Sequence, residues 1–244
     1  EAFWLVGEIG KLKRGRTGVF ATLRINTVSG KVVKEEGDSK VLLLGGRTLS
    51  SSMVSREVAG DCDPFGRKNK LFFCSGALAG TTVSSANRLS IGGKSPLTGG
   101  IKESNAGGIV AQRMAQQGLR CIALEDAPSK EAPWKVVVIG HDKTEIVDGT
   151  FLAGKGVYQK SDLLAEEFGK KAGCITIGPA GENLLLASGI ACSDPHGVCS
   201  RYAGRGGLGA VMGAIARFQY RGPKDTFRGW LRTITKNKIR DRFR

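Results

Sequence analysis

Histidine is nearly missing from this chain: His141 and His196 are the only two among 244 residues. His141 falls in a predicted hairpin turn and His196 lies beside a proline and near a glycine. With no partner pattern, surface positions suit both better than catalysis does. No Ser/His/Asp arrangement and no paired-carboxylate pattern is present, so hydrolysis has no support in the sequence. The six cysteines, Cys62, Cys74, Cys121, Cys174, Cys192 and Cys199, contain no CxxC or CxxxC pair. A self-contained zinc or iron–sulfur site is therefore not expected. Cys192 and Cys199 are too far apart for a knuckle, and several cysteines sit in apolar runs such as LFFC and CITIG, which predicts buried, reduced thiols. No apolar run approaches the length needed to cross a bilayer, and nothing resembles a signal peptide. A soluble, cytoplasmic setting without membrane contact is expected. The chain opens at Glu1 rather than methionine, so its true start is expected upstream.

What the chain has in excess is glycine, 36 residues, and positive charge, a formal +15. The glycines follow no collagen period, so they mark turns and close backbone approaches. The charge is uneven. Residues 218–244 carry nine basic residues and two acids, leaving only +8 for residues 1–217. Net positive charge points to a polyanionic partner, but the body is only modestly basic and has few aromatics, which argues against nucleic acid as its ligand. The length suits one large domain or two small ones.

The stretch from Arg88 to Gly108, RLSIGGKSPLTGGIKESNAGG, concentrates this composition: six glycines, one proline, and a single acid, Glu103. It is expected to form an irregular loop rather than regular strand, bringing backbone amides and the cations Arg88 and Lys94 close to an anion. The run after it predicts a helix starting near Asn105 or Ala106, whose N-terminus would favour a phosphate.

Along the rest of the chain, VFATLRI and KVVKEE predict a hairpin turning at Ser29-Gly30. VLLLGG (41–46) reads as a buried strand and RTLSSSMVSREV as the helix behind it. LFFCSG and RCIALED read as strands, and KVVVIG with TEIVD as a hairpin. Ser161 is the expected N-cap of DLLAEEFGKK. CITIG reads as a strand leading to a second glycine-rich segment, GPAGENLLLASGI; the third, GRGGLGAVMG, opens a helix. Strands outnumber helices without alternating regularly, which predicts an α+β fold with mixed sheets and flanking helices.

Two motifs fail on inspection. GGKS at 92–95 has Arg88 where a P-loop needs glycine, and Pro96 where its helix should begin. Gly204, Gly206 and Gly209 satisfy GxGxxG, but no buried strand precedes them and no acid follows in a βαβ unit. Backbone amides near Arg201 and Arg205 remain a credible anion site.

In order, TGVFATLRINTVSGKVVKEE, VLLLGGRTLS, DPFGRKNKLFFCSGALAGT, NRLSIGGKSPLTGGIKESNAGG, IGPAGENLLLASGI and SRYAGRGGLGAVMG resemble the N-terminal domain of aldehyde:ferredoxin oxidoreductases. The resemblance covers about residues 16–213. It implies a fold that holds a tungsten or molybdenum bis-pyranopterin. Arg88 and Arg201 match the arginines that reach the cofactor, and Lys94, Ser95, Ala106, Gly107, Gly108, Gly204 and Arg205 fall in the same segments. Asn105 and Tyr202 match the residues whose backbone carbonyls bind a magnesium ion between the phosphates. The family members in view have alanine at the position of Tyr202 and often histidine at that of Ser200. The resemblance further implies conversion of aldehyde to carboxylate, with electrons passing to a four-iron four-sulfur cluster and then to ferredoxin, and it allows a homodimer. The cluster cysteines and acid–base residues belong to later domains of the family, so no catalytic residue is expected here and the fragment alone should be inactive.

Three segments follow: 1–15, unassigned; 16–217, the cofactor-binding domain; and 218–244, a basic amphipathic tail. TFRGWLRTITKNKIRD in the tail resembles the core-binding helix region of extracytoplasmic-function sigma factors. Phe227, Trp230, Leu231 and Ile234 fall at helical spacing, with Arg228, Arg232 and Lys236 on another face. An ordinary basic terminal helix is the alternative reading of that stretch. The alternative function is a nucleic-acid or RNA-polymerase binder acting through this tail. If the tail is foreign to the body, deleting residues 218–244 should leave the body's melting temperature nearly unchanged. A loss of several kcal/mol in thermal unfolding would instead make the tail integral.

Overall fold

The computed structural model describes residues 5–7, 20–36, 44–128, 133–140 and 143–216. Residues 41–43, His141 and the tail 218–244, for which part of a strand, a turn and a helix are predicted, lie outside the described residues. Of the strand predicted over 41–46, Leu44 and Gly45 are not strand and Gly46 already opens a helix. In chain order the elements are β1 (Leu5–Gly7), β2 (Ala21–Asn26), β3 (Val32–Glu36), α1 (Gly46–Glu57), β4 (Lys70–Ser75), β5 (Leu89–Lys94) and β6 (Ile101–Ala106). They continue with α2 (Val110–Gln116), β7 (Leu119–Glu125), β8 (Lys135–Ile139), β9 (Thr144–Asp148), α3 (Val157–Phe168) and β10 (Gly173–Thr176). The last are α4 (Pro179–Glu182), β11 (Ile190–Cys192), β12 (Arg201–Ala203) and α5 (Leu208–Ala216).

Two six-stranded sheets result, one in the order β12-β11-β10-β1-β8-β9 and the other β3-β2-β7-β4-β5-β6. β1 runs parallel to β8 and β2 parallel to β7, while the remaining pairs are antiparallel. The fold is α+β with mixed sheets, as the pattern of elements predicts.

Strand alternation explains why LFFC and its partners are apolar throughout. Leu71 and Phe73 point from β4 into the main core, which also takes Ile91, Ile122 and Leu124 and the buried residues of the other sheet. Phe72 and Cys74 point the opposite way, into a smaller cluster with Cys121, Ala123, and Leu49, Met53 and Val54 of α1. A strand covered on both faces carries no polar alternation. All six cysteines are buried and free.

Three local expectations are corrected. The glycine-rich stretch 88–108 is not an irregular loop: β5 and β6 pair through six antiparallel positions, Leu89↔Ala106 to Lys94↔Ile101. Every residue of β5 is buried. Ladder hydrogen bonds compensate for glycine's weak strand preference, and the missing side chains let other elements close in on both sides. Accordingly, the following helix does not start at Asn105 or Ala106, which end β6, but at Val110. Ser161 is not an N-cap either. Its helix begins four residues earlier, at Val157, and the buried Ser161 hydroxyl donates to the Gly197 carbonyl and accepts from the Cys199 N–H. The serine reads locally as a cap, but its partners come from a loop 36 residues away.

Helix α3 also carries the fully buried Lys160. Its ammonium donates to the Ile177 carbonyl at 2.8 Å and to the Glu182 carboxylate, whose second oxygen accepts the Gly154 N–H. This pair ties α3 to α4, the turn of helix made by GPAGE. Burial pulls the Lys160 amine down to about 8, against the opposing pull of Glu182. A lysine whose folded value is lowered penalises folding below that value, and the penalty is relieved as pH rises toward the ordinary 10.5. Wild type should therefore gain up to about 3 kcal/mol over Lys160→Met between pH 8 and 10.5 in urea unfolding. The buried thiols, Cys199 pushed up to about 11 by burial, act in the opposite direction but are common to both proteins. A pH-independent difference would refute the buried charged lysine.

Candidate functional site

Each sheet ends on a strand without an outer neighbour, β6 in one and β12 in the other, and these two edges lie side by side. Gly107 and Gly108 follow β6 at this seam. The Ile109 N–H donates to the Ser193 carbonyl at 3.0 Å, drawing the two sheets together. Gly108 has φ +103°, and a Cβ there would stand 2.1 Å from the Ser193 oxygen. Any other residue would meet both backbone strain and a collision with a carbonyl that is itself held in place.

The KSPLTGG turn joins this seam to the third glycine segment. The buried Ser95 hydroxyl accepts from the Leu97 and Thr98 N–H groups and donates to the Gly206 carbonyl at 2.8 Å. Gly206, with φ +78°, lies under the Lys102 side chain, whose Cγ would be 2.2 Å from a Cβ. Gly207 packs against Pro96 and leads into α5. The GPAGE segment completes the arrangement by backbone contact: Cβ atoms at Gly181 and Gly213 would stand 2.9 Å from the Gly209 oxygen and 2.0 Å from the Gly181 oxygen. The three glycine-rich segments, distant in sequence, thus form one continuous wall.

Four cations border this wall. Arg88 lies across the ladder from Gly107, with its Nη1 3.7 Å from where a Gly107 Cβ would be, and the Arg201 Cγ is 3.6 Å from the corresponding point at Gly108. Lys102 covers Gly206, and Arg205 is adjacent in the chain. Arg88, Arg201, Tyr202, Gly204 and Arg205 are all exposed. Among the described residues, Arg88, Lys102, Arg201 and Arg205 have no carboxylate partner, whereas ion pairs elsewhere occupy Arg24, Arg47, Arg67, Lys70 and Lys160. Unpaired guanidinium and ammonium groups beside a Cβ-free backbone suit an oxygen-rich anion.

The remaining predicted residues divide. Ser95, Ala106, Gly107 and Gly108 lie in or next to the wall. Lys94 does not join the exposed cations: it is buried, and its ammonium donates to the Gly60 carbonyl. The Asn105 side chain faces α1 and donates to Glu103, so only its backbone is available to the site. Tyr202 has room for its ring because β12 is an edge, leaving it 46% exposed. Ser200 donates to Asp194 at 2.8 Å.

Two residues of this region carry roles that sequence reading did not assign. Lys102 is drawn over Gly206 from β6 by strand alternation. Glu103, the stretch's one acid, projects from the opposite face, where it accepts from Arg47, Ser90 and Asn105. The alternating order Lys102, Glu103, Ser104, Asn105 would have revealed this division once β6 was recognised as a strand.

Fold and site together define a glycine-walled domain whose exposed cations gather at the joined edges of two mixed sheets. The family profile described as "Aldehyde ferredoxin oxidoreductase, N-terminal domain" matches residues 22–215, and the chain belongs to that family. It is 34% identical over 195 residues to the tungsten-containing aldehyde ferredoxin oxidoreductase of Pyrococcus furiosus, covering 79% of this chain and 31% of that protein. The protein of the same name from Thermococcus kodakarensis is 35% identical over 195 residues, with the same coverage. Among solved structures, the BamBC active site complex of benzoyl coenzyme A reductase, bound to 1,5-dienoyl-CoA, aligns with TM-score 0.75 and 27% identity. That alignment covers 82% of this chain and 30% of the other. The chain therefore spans about a third of the length of the curated relatives it matches.

If the wall depends on these close approaches, Gly108→Ala should destabilise the domain by several kcal/mol, beyond the usual cost of a left-handed alanine. Ser95→Ala should cost about 1–3 kcal/mol, leaving the Gly206 carbonyl and two turn amides without their partner. Urea unfolding of both variants checks this; wild-type stability for Gly108→Ala would refute the packing at the seam.

Proposed function

We propose that this chain is the cofactor-holding portion of a tungsten–pterin aldehyde oxidoreductase, with molybdenum as the alternative metal. The observation that carries the reading is the convergence of three glycine-rich segments and four unpaired cations at one exposed seam. A bis-pyranopterin bears two phosphates and is wide and flat, so it needs a broad backbone-lined wall rather than one deep pocket. Among the described residues no three His, Cys, Asp or Glu side chains cluster to hold a metal ion. The side chains here suit a metal that arrives on an organic ligand.

In this reading Arg88 and Arg201 bind the phosphates, joined by Arg205, while Gly107, Gly108 and Gly204 let the ligand lie against the backbone. The carbonyls of Asn105 and Tyr202 would take a magnesium ion between the phosphates, a role for which any side chain at 202 serves. When bound, the metal–pterin supplies the two-electron oxidation of an aldehyde to a carboxylate. The protein's share here is placement and charge compensation. An iron–sulfur cluster and ferredoxin would receive the electrons through parts of the polypeptide beyond this domain.

The test uses a full-length protein containing this domain. Arg88→Ala or Arg201→Ala should each weaken cofactor retention by about 1.5–3 kcal/mol, the worth of a charged hydrogen bond to phosphate, seen as lower tungsten and pterin content. Normal metal and pterin content in both variants would refute the assignment. The 244-residue chain alone should show no aldehyde-dependent dye reduction; activity would require a site elsewhere in it.

A further inference from the structure

Lys102 is the one seam cation that the resemblance to the family gives no role. It stands on β6 directly opposite Gly93, on the face turned toward α5 and the 204–207 loop. Gly93 has no side chain, so nothing on the neighbouring strand crowds the lysine there. Its methylene stem lies on Gly206: a Cβ at that glycine would meet Lys102 Cγ, Cδ and Cε at 2.2, 2.8 and 2.7 Å. Contact along three successive carbons fixes the direction of the side chain. A long, mobile lysine is thereby given a defined course over the loop that also carries Arg205.

The ammonium at its end has no hydrogen-bond or carboxylate partner among the described residues. Glu103, the nearest acid in sequence, is withdrawn to the opposite face of β6 and engaged by Arg47 at 3.1 Å, by Ser90 and by Asn105. Lysine's positive charge is therefore not neutralised within the sheet. Its stem is anchored, its head is free, and the wall beneath has two further arginines at its other end.

We propose that Lys102 is a further binding residue of this site, an ammonium that contacts a phosphate or diphosphate oxygen of the ligand from above the Gly204–Gly207 loop. The inference rests on the reading of the seam as a phosphate site and adds a residue to it. Lys102 would serve the end of the ligand lying over that loop, while Arg88 and Arg201 serve the end at Gly107–Gly108. An ammonium suits this place because it acts as a compact point charge at the end of an adjustable stem.

The test is calorimetric titration of inorganic pyrophosphate into the 244-residue chain. Lys102→Met keeps the stem over Gly206 and removes the charge, so it should preserve the melting temperature and weaken pyrophosphate binding about tenfold. Lys102→Arg should bind within about twofold of wild type. The loss in Lys102→Met should shrink as salt rises from about 50 to 500 mM, because a charge contact is screened and a packing defect is not. Lys34→Met, on β3 at the far edge of the same sheet, is the control for general charge. Unchanged binding by Lys102→Met, with weakening in Arg88→Ala and Arg201→Ala, overturns the lysine assignment and leaves the phosphate site standing. A salt-independent loss, or equal losses in Lys102→Met and Lys34→Met, also overturns it. Failure of the wild-type chain to bind pyrophosphate overturns both readings.

Discussion

The seam between the two sheets depends on backbone approaching backbone with no Cβ between. At Gly108 the chain passes so close to the Ser193 carbonyl that a methyl group would overlap it. At Gly181 and Gly213, segments far apart in sequence meet with the same intimacy. Such contacts bring together β6, β12, α4 and α5, elements that side-chain packing alone would hold farther apart. Once they are joined, Arg88 and Arg201 are brought to adjacent glycines. The site is thus a consequence of how the sheets meet, and its position is set by the same glycines that let them meet.

Strand alternation then sorts the charges. β6 places Lys102 toward the glycine loop and Glu103 and Asn105 toward α1. A carboxylate beside the seam cations would offset their charge, yet this one is held on the far side of the sheet by Arg47, Ser90 and Asn105. Lys94 and Glu103 share the α1 face and both are engaged there. Of the three cations in the 88–108 stretch, Arg88 and Lys102 have no carboxylate or hydrogen-bond partner among the described residues, and both lie at the seam. A two-residue repeat therefore keeps an acid within a glycine-rich stretch while turning it away from the seam cations.

The site is open. Arg88, Arg201, Tyr202 and Arg205 are all exposed. That agrees with a domain spanning about a third of its relatives' length. Interior rigidity accompanies this openness: the buried Lys160–Glu182 pair fixes the GPAGE turn from behind, and Ser95 fixes the KSPLTGG turn to Gly206. The residues that would meet a ligand are free, and those that place them are buried.

Composition and local pattern by themselves determined the class of fold, most strands and helices, the buried reduced cysteines, and the importance of the glycine-rich segments. These are legible because LFFC, RCIALED or GRGGLGAVMG carry their burial in their own residues. The form of 88–108 was not legible: six glycines read as loop, because the ladder partner and the elements packed on β5 are supplied from elsewhere. For the same reason the helix start at Val110 and the interior position of Ser161 were missed. Ser161 has its partners at Gly197 and Cys199, which no local rule can see. Only the tertiary structure decided which cations are free. Lys94 and Lys102 stand eight residues apart in one glycine-rich stretch and look alike in sequence. The first is turned inward to a carbonyl and the second outward over Gly206, because β5 and β6 present them to opposite faces of one sheet.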